Sequence, residues 1–220
     1  MKVFIGVGHG GVDSGAAANG VKEKDLNLAI AKACRDELVR HGVEVKMSRS
    51  TDENDPLSEE IKECNAYAPD LAVEIHNNAG GGDGAEVFHH HGGGKGKTLA
   101  ENILAEIVKL GQNSRGIKTR VNSQGRDYYG FIRETSAPAV IVECAFVDNA
   151  TDLKILASES QKKSMGEAIA KGVLKTLGIA IQSEKRYYKV QVGACLYRES
   201  AEALQKKIKA VGFDAFIVRE

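Results

Sequence analysis

The apolar residues of the chain form short continuous runs, and these alternate with longer segments in which apolar residues recur every three or four positions. Continuous runs are typical of strands buried on both faces, and the wider spacing is typical of helices packed against a sheet. Their alternation predicts an α/β fold with a mainly parallel, mixed six-stranded sheet that carries helices on both faces. The predicted strands span residues 3–7, 43–48, 71–76, 85–89, 129–133 and 139–142.

Four helices are predicted between or after these strands, at residues 24–40, 57–66, 98–111 and 160–177. In the third helix the apolar residues keep to one face, as the spacing of Leu99, Ile103 and Ile107 indicates. The fourth helix ends at Gly178, a residue suited to the left-handed conformation that closes many helices.

The character of the sequence changes after Gly178. A short segment that ends in polar residues is followed by an alternating strand at 187–193, a helix at 200–210 and a strand at 213–218. We therefore predict a first domain over residues 1–180, a linker over residues 181–186 and a small β-α-β unit over residues 187–220.

Charge and hydropathy argue against several classes of protein. The 220 residues include 30 basic and 30 acidic side chains, so no net field attracts a nucleic acid or an anionic membrane. No apolar run reaches the roughly 18 residues of a membrane span. The first strand begins directly after Met1 and Lys2, which leaves no room for a secretory signal and predicts synthesis in the cytoplasm. The cysteines are widely spaced and are predicted to be buried thiols: Cys34, Cys64, Cys144 and Cys195.

Two glycine-rich loops raise the possibility of a nucleotide site. Residues 6–11, GVGHGG, match the spacing of a dinucleotide-binding turn, but residues 12–20 are rich in turn formers where that turn requires a helix. Residues 92–98, GGGKGKT, approach the phosphate-binding loop pattern, with His91 in place of its first glycine. A P-loop-like nucleotide-binding protein therefore stays open as an alternative.

A third pattern indicates a metal. His9 follows the first strand, His76 ends the third, and Glu143 ends the last, so all three lie where the carboxyl ends of strands meet at one rim of the sheet. Glu23 starts the first long helix, after a loop long enough to return it over His9. Two imidazoles and one carboxylate form a ligand set of catalytic zinc, and a second glutamate beside them could serve as a base.

Three consecutive histidines, His89, His90 and His91, also look like metal ligands. Consecutive strand residues point to opposite faces, so the three cannot all reach one ion from a strand. We predict that they form an exposed strand end.

Five segments resemble, in their order along the chain, the zinc-dependent N-acetylmuramoyl-L-alanine amidases of bacterial autolysins and phage endolysins. Together they indicate a similarity over about residues 1–177. They are GHGGVDSG at 8–15, EKDLNLAIA at 23–31, SRSTD at 48–52, EIHNNA at 74–79 and PAVIVECAFVDN at 138–149.

The resemblance implies that His9, Glu23 and His76 bind one Zn²⁺ per chain and that Glu143 is the catalytic residue. It also implies the reaction, which is hydrolysis of the amide between N-acetylmuramic acid and the L-alanine of the stem peptide of bacterial peptidoglycan. The chain has Glu74 and Ala145 where the family usually has serine and glycine, and Glu74 shares a strand face with His76.

Residues 187–218 resemble the first strand, helix and second strand of a SPOR domain, a peptidoglycan-binding module with a ferredoxin-like fold. Only one of the two β-α-β halves of that module is present, and so short a unit buries little core. We therefore predict a homodimer in which two chains pair their halves.

The resemblance, together with the absence of a secretory signal, suggests an endolysin that reaches the wall once a holin opens the membrane. A bacterial autolysin or a sporulation or germination amidase would use the same chemistry.

Overall fold

The computed structural model describes residues 1–182 and 191–218 of the chain. Its strands are β1 (Lys2–Val7), β2 (Ala17–Ala18), β3 (Val21–Lys22), β4 (Glu44–Met47), β5 (Leu71–Asn78), β6 (Ala85–His89), β7 (Ser114–Lys118) and β8 (Ala139–Phe146). Its helices are α1 (Glu23–Arg40), α2 (Leu57–Tyr67), α3 (Gly94–Val108), α4 (Gly130–Glu134), α5 (Ala150–Lys154), α6 (Glu159–Leu177) and α7 (Arg198–Ala210).

Six of the strands form one mixed sheet in the order β4-β1-β5-β8-β6-β7. The first four in this order are parallel to one another, whereas β6 runs antiparallel to β8 and β7 runs parallel to β6. The predicted α/β class with a mainly parallel, six-stranded sheet is confirmed. The reversed direction of β6 matters for function because its carboxyl end lies at one rim of the sheet, whereas the carboxyl ends of β1, β5 and β8 lie at the other.

The two faces of the sheet are covered to different extents. The larger apolar core lies under α1, α3 and α6 and takes alternate residues of the central strands, such as Val3, Val73 and Val142. The smaller core lies under α2 and α4 and takes the intervening residues, such as Phe4 and Ile141. Because successive strand residues face opposite sides, the polar residues that alternate with the larger core face the α2 and α4 side.

Helix α6 packs closely against its neighbours because it carries glycine at two contact positions. A Cβ atom on Gly166 would lie 2.4 Å from the carbonyl oxygen of Ile30 in α1, and one on Gly172 would lie 2.5 Å from the Cα of Ile103 in α3. The absence of side chains at these two positions lets three helices share one face of the sheet.

One predicted strand of this domain is wrong, and one strand of the sheet was missed. The apolar segment at residues 129–133 forms the short helix α4 rather than a strand, because a brief apolar run has no periodicity that separates the two structures. The sixth strand of the sheet is instead β7, which had not been predicted. Strand β7 lies at the edge and has no fully buried residue, so its sequence lacks the apolar run of a central strand.

The contacts divide the chain into two units, Met1–Gln182 and Ser183–Glu220. In the second unit, α7 is the single helix or strand among residues 191–218. The strand predicted at 213–218 is therefore not formed, and the one predicted at 187–193 falls partly outside the described residues and is absent from 191–193. Alternating apolar residues form a strand only where a neighbouring strand accepts their backbone hydrogen bonds, and residues 213–218 have no such neighbour in the described chain.

Three of the four cysteines are buried. Cys34, Cys64 and Cys144 are buried and free, as predicted, but Cys195 is exposed because it belongs to a segment in which no described side chain is buried.

Among residues 1–182 and 191–218, no helix is both long and apolar enough to cross a membrane.

Candidate metal centre and active site

The turn after β1 presents His9 in an uncommon backbone conformation. His9, Gly10 and Gly11 have φ angles of 62°, 150° and 55°, so the chain reverses through left-handed geometry that glycine adopts freely and histidine does not. The amide of Gly8 donates to the carbonyl of Ile75 at 3.1 Å, which fixes the start of this turn to β5. His9 is thereby held over the carboxyl ends of β1 and β5.

Glu23 is brought back to the same place by the small β2-β3 hairpin. One carboxylate oxygen, Oε2, accepts from the amide of Ala16 at 2.9 Å, and the other, Oε1, accepts from the amide of Asn77 at 3.1 Å. Its side chain is only 5% exposed. The carboxylate is therefore anchored from both the hairpin and β5, although it lies at the first residue of α1.

The two histidines converge on this carboxylate. Nε2 of His9 lies 3.2 Å from Oε2 of Glu23, and Nδ1 of His76 lies 2.9 Å from Oε1. One ligand atom from each of His9, Glu23 and His76 lies within 4.8 Å of the other two. The imidazole rings meet edge to face with their centroids 5.0 Å apart. The structure thus brings together the three residues that the sequence analysis singled out as metal ligands.

Each imidazole has a second carboxylate on the nitrogen that does not face Glu23. Nδ1 of His9 lies 2.8 Å from Oδ2 of Asp13, and Nε2 of His76 lies 3.5 Å from Oε1 of Glu74. Carboxylates in this position fix the tautomer and the orientation of a ligating histidine. Glu74 shares a strand face with His76, as expected, and its carboxylate lies beside the ring.

Glu143 lies next to the convergent group. It is the register partner of His76 on the adjacent parallel strand β8, and its Oε2 atom is buried without a hydrogen-bond partner among the described residues. Burial raises the pKa of Glu143 to about 7, against the opposing effect of His76. A carboxyl group with a pKa near neutrality is suited to accept and return a proton.

The charges of the other groups are set by their contacts. Burial opposes ionisation of Glu23, but hydrogen bonds from His76 and His9 hold its pKa well below the ordinary value. Burial opposes ionisation of His76 as well, which by itself would lower its pKa. The contacts of His76 with Glu23 and Glu74 outweigh this effect and raise its pKa well above the ordinary value. Without a cation the site therefore retains protons on imidazole, and a metal ion would replace them.

The donor set fits a zinc ion. Two imidazole nitrogens and one carboxylate oxygen lie within 4.8 Å of one another, and the unpartnered oxygen of Glu143 is available to a fourth group beside them. This is the nitrogen and oxygen set of catalytic zinc sites, which keep one coordination position open.

Several residues that hold the site in place were not assigned a role by the sequence analysis, although the matched motifs contain them. The buried Arg49 donates to the carbonyls of Val7, Gly8 and Lys24, which ties the end of β1 to the start of α1. Nζ of Lys24 donates to the carbonyl of Gly11 at 2.8 Å, and Nδ2 of Asn27 donates to the carbonyl of Gly8 at 2.9 Å. The available signal was their place inside the matched motifs, because Arg49 and Lys24 stand among other polar residues of the sequence.

The nucleotide alternatives find no support. Helix α1 begins only at Glu23, after the β2-β3 hairpin, and not at the third glycine of the 6–11 turn as a dinucleotide-binding turn requires. Residues 92–98 follow β6 and include the start of α3, and the reversed direction of β6 places them at the rim of the sheet opposite to the carboxyl ends of β1, β5 and β8.

The sequence profile of the family described as N-acetylmuramoyl-L-alanine amidase matches residues 3–175. A second profile, that of the SPOR domain, matches residues 140–219 and so overlaps the end of the first. The two matches together reach from β1 to the end of the described chain.

Curated relatives match the chain over most of its length. The N-acetylmuramoyl-L-alanine amidase CwlM of Bacillus licheniformis is 35% identical over 99% of this chain and 85% of its own length. The sporulation-specific N-acetylmuramoyl-L-alanine amidase of Bacillus subtilis is 32% identical over 99% of this chain and 84% of its own length. The endolysin of Bacillus phage SPP1 is 36% identical over 82% of this chain and 68% of its own length.

Solved structures of similar proteins superpose on most of the chain. Cwp6 from Clostridium difficile superposes with a TM-score of 0.79 and 39% identity over 80% of this chain, which spans 29% of that longer protein. The N-acetylmuramoyl-L-alanine amidase AmiC2 of Nostoc punctiforme superposes with a TM-score of 0.73 and 30% identity, covering 81% of this chain and 97% of its own. The chain therefore belongs to the N-acetylmuramoyl-L-alanine amidase family and is a peptidoglycan amidase.

Proposed function

We propose that the chain hydrolyses the amide between N-acetylmuramic acid and the L-alanine of the stem peptide with one Zn²⁺ held by His9, Glu23 and His76. The observation that carries this proposal is the convergence of the three ligand atoms within 4.8 Å, beside the unpartnered oxygen of Glu143. When bound, the zinc ion supplies a Lewis acid that polarises a carbonyl and acidifies water.

Glu143 performs the proton transfers. Its buried oxygen accepts the proton of the attacking water, and the same carboxyl group then delivers that proton to the amine of L-alanine as the amide bond breaks. The raised pKa lets the group act in both directions near neutral pH. Position supports the assignment as well, because the register places Glu143 directly beside His76.

Glu86 helps to define the electrostatic environment of Glu143. It lies directly opposite Glu143 in the antiparallel β6-β8 pair, so the two carboxylates face the same side of the sheet. Arg115 and Lys118 of β7 form ion pairs with Glu86. These cations hold the pKa of Glu86 low against its burial, so Glu86 is ionised and disfavours ionisation of Glu143.

The test uses purified peptidoglycan and the untagged full chain. Release of stem peptides with a free L-alanine amine is measured before and after treatment with a chelator and after addition of Zn²⁺. We expect the activity to disappear with the chelator and to return with zinc. Activity that survives complete removal of the metal would contradict the proposal.

We also propose that the segment at 187–220 is a half of a SPOR-like wall-binding unit and that two chains combine their halves into a homodimer. No side chain among residues 191–218 is buried, and the exposed apolar side chains of this segment include Val192, Leu196, Val211 and Phe213. A unit that buries none of its own apolar side chains requires a partner to become stable.

For the biological setting we propose lysis of a bacterial wall by an enzyme made in the cytoplasm, as an endolysin or as a sporulation amidase. The similarity to the SPP1 endolysin supports the first setting. The similarity of the sporulation-specific amidase over 99% of this chain, including its C-terminal segment, supports the second. A holin gene next to this one would identify the phage setting, and expression confined to sporulating cells would identify the other.

A further inference from the structure

A second group of histidines lies at the rim of the sheet opposite to the proposed amidase centre. Strand β6 ends at His89, which is buried and not exposed as predicted, and the exposed His90 and His91 follow in the turn before α3. Because β6 runs antiparallel to β8 and pairs His89 with Val140, this turn lies near the amino end of β8, away from Glu143. The group is therefore separate from the proposed amidase centre.

Both histidines of the turn contact one carboxylate. Nδ1 of His90 contacts Oδ2 of Asp127, and Nδ1 of His91 lies 3.1 Å from Oδ1. One ligand atom from each of the three residues lies within 4.8 Å of the other two. The alternation of strand residues does not prevent this convergence, because His90 and His91 lie beyond the last residue of β6.

Asp127 is held firmly while the imidazoles stay accessible. Its side chain is 5% exposed, whereas those of His90 and His91 are 54% and 41% exposed. The amide of His91 donates to Oδ1 of Asp127 at 2.9 Å, and Arg133 donates to its backbone carbonyl at 2.8 Å. A fixed carboxylate with two reachable imidazoles is a partly formed ligand set that solvent ions can approach.

The guanidinium groups next to the site form no ion pair with the carboxylate of Asp127 among the described residues. Arg126 and Arg133 both direct their guanidinium groups to Glu134. The side-chain partners of this carboxylate are instead the imidazoles of His90 and His91, and imidazole is a common ligand of transition metals.

We propose that His90, His91 and Asp127 bind a divalent transition-metal ion of the Zn²⁺ class at a second site. Two imidazole nitrogens and one carboxylate oxygen match the preferences of such ions, and the cluster borders a surface cavity of about 410 Å³ from which water can complete the coordination. This inference does not depend on the proposed mechanism at the first site.

The second ion would have a structural effect. Asp127 belongs to an irregular segment that ends at Tyr129, and the ring of Tyr129 packs on Phe88 of β6 at 4.8 Å between centroids. The ion would join this segment to the end of β6 through side chains that are now linked by hydrogen bonds alone. It would therefore stabilise the position of Tyr129 on the α2 and α4 face of the sheet.

The test counts zinc ions per chain. Untagged full-length protein is stripped of metal, equilibrated with Zn²⁺ and analysed by mass spectrometry for bound metal. We expect two ions in the unchanged protein, one in the His90→Gln/His91→Gln variant, one in the His9→Gln/His76→Gln variant and none when the four changes are combined. His41→Gln, which alters a histidine outside both groups, serves as the matched control and should keep two.

A second variant separates a folding defect from loss of the ligand. Asp127→Asn keeps a side-chain oxygen that can accept from the amide of His91 but removes the charge, so the fold should persist while the second ion is lost. Thermal unfolding of the His9→Gln/His76→Gln variant should shift upward with Zn²⁺, and the added Asp127→Asn change should abolish that shift. A zinc count that the His90→Gln/His91→Gln variant does not lower relative to the unchanged protein would show a hydrogen-bond network only and would overturn the proposal.

Discussion

His76 and Glu143 are register partners on the adjacent parallel strands β5 and β8. One of them is a proposed zinc ligand and the other is the proposed base, so the hydrogen-bond ladder between two central strands sets their separation. Neither strand is at an edge of the sheet, and both are buried along most of their length. The relative position of ligand and base is therefore as rigid as the core itself.

Replacing Glu143 with glutamine should lower kcat by roughly 10²- to 10⁴-fold, because the proton transfers lose their acceptor while the shape of the side chain is kept. The zinc content should not change, since Glu143 is not among the proposed ligands. Both quantities can be measured on the same preparation, by stem-peptide release and by metal analysis. Glu101→Gln, at an exposed carboxylate of α3, is the control. Undiminished hydrolysis by Glu143→Gln would refute the catalytic assignment.

Zinc binding should release protons, and the affinity should fall as the pH is lowered. The pKa of His76 is raised well above its ordinary value and that of His9 is also raised, so both rings compete for protons around neutral pH in the metal-free protein. Zinc requires the neutral rings and displaces these protons. Calorimetric titrations in buffers with different ionisation enthalpies will measure the number released. Heats that are independent of the buffer would contradict this prediction.

In the metal-free protein, Glu143 should titrate near pH 7, since burial raises its pKa to about that value. It is protonated below this pH and ionised above it. The positive charge of bound zinc favours the ionised form, so the acid limb of kcat/KM should lie at or below about pH 7. Infrared difference spectra between the unchanged protein and Glu143→Gln can follow the carboxyl group. A midpoint near that of an exposed glutamate would show that the group is not desolvated.

The change Glu74→Gln should weaken zinc binding by roughly 10-fold, because loss of a carboxylate that orients a ligating histidine typically costs 10- to 100-fold in metal affinity. The glutamine keeps the size of the side chain but not the charge beside Nε2 of His76. Competition with a chelator of known affinity gives the value. Glu63→Gln, which alters an exposed glutamate of α2, should leave the affinity unchanged. Equal affinities for the two variants would assign Glu74 a role in packing only.

The change Gly8→Ala should abolish zinc binding while the protein still folds. A Cβ atom at this position would lie 2.2 Å from Cε1 of His76, so the ring must leave its place. Gly96→Ala in α3 is the control, because its Cβ atom would meet only the carbonyl of Ala139 at an ordinary 3.4 Å. Zinc content and circular dichroism are measured for both variants, to follow metal binding and folding separately. Normal zinc content in Gly8→Ala would contradict the prediction and would show that the ring of His76 has room to move.

The full chain should behave as a dimer in light scattering at micromolar concentration. The Leu196→Asp/Phe213→Asp variant should be monomeric, because it places charge on exposed apolar positions of the C-terminal segment. Lys207→Gln, a polar change on α7, should keep the dimer. A monomeric unchanged protein with an ordered C-terminal segment would contradict the pairing of two halves.

The sequence predicted the central strands correctly because residues such as Phe4 and Val142 belong to apolar runs that only a doubly covered strand requires. It did not predict β7, whose residues Arg115 and Lys118 are polar since they pair with Glu86 across the sheet. Edge strands of this kind are specified by their neighbours and not by their own hydrophobicity.

Within the site, too, some positions follow from local sequence patterns and others depend on distant parts of the chain. His9 and His76 could be placed at one rim from strand ends alone, whereas the position of Glu23 depends on a hairpin of two-residue strands that no periodicity indicates. The contact of Asp127 with His90 and His91 joins residues far apart along the chain, and a local pattern carries no information about such a pair.

The reversed direction of β6 lets one buried strand serve two places in the molecule. Glu86 faces Glu143 on one part of the strand, and His90 follows its other end at the opposite rim of the sheet, roughly 14 Å away at about 3.4 Å per residue. Because β6 is hydrogen-bonded to both β8 and β7, the charge beside the proposed base and the proposed second metal site are carried by a single rigid element.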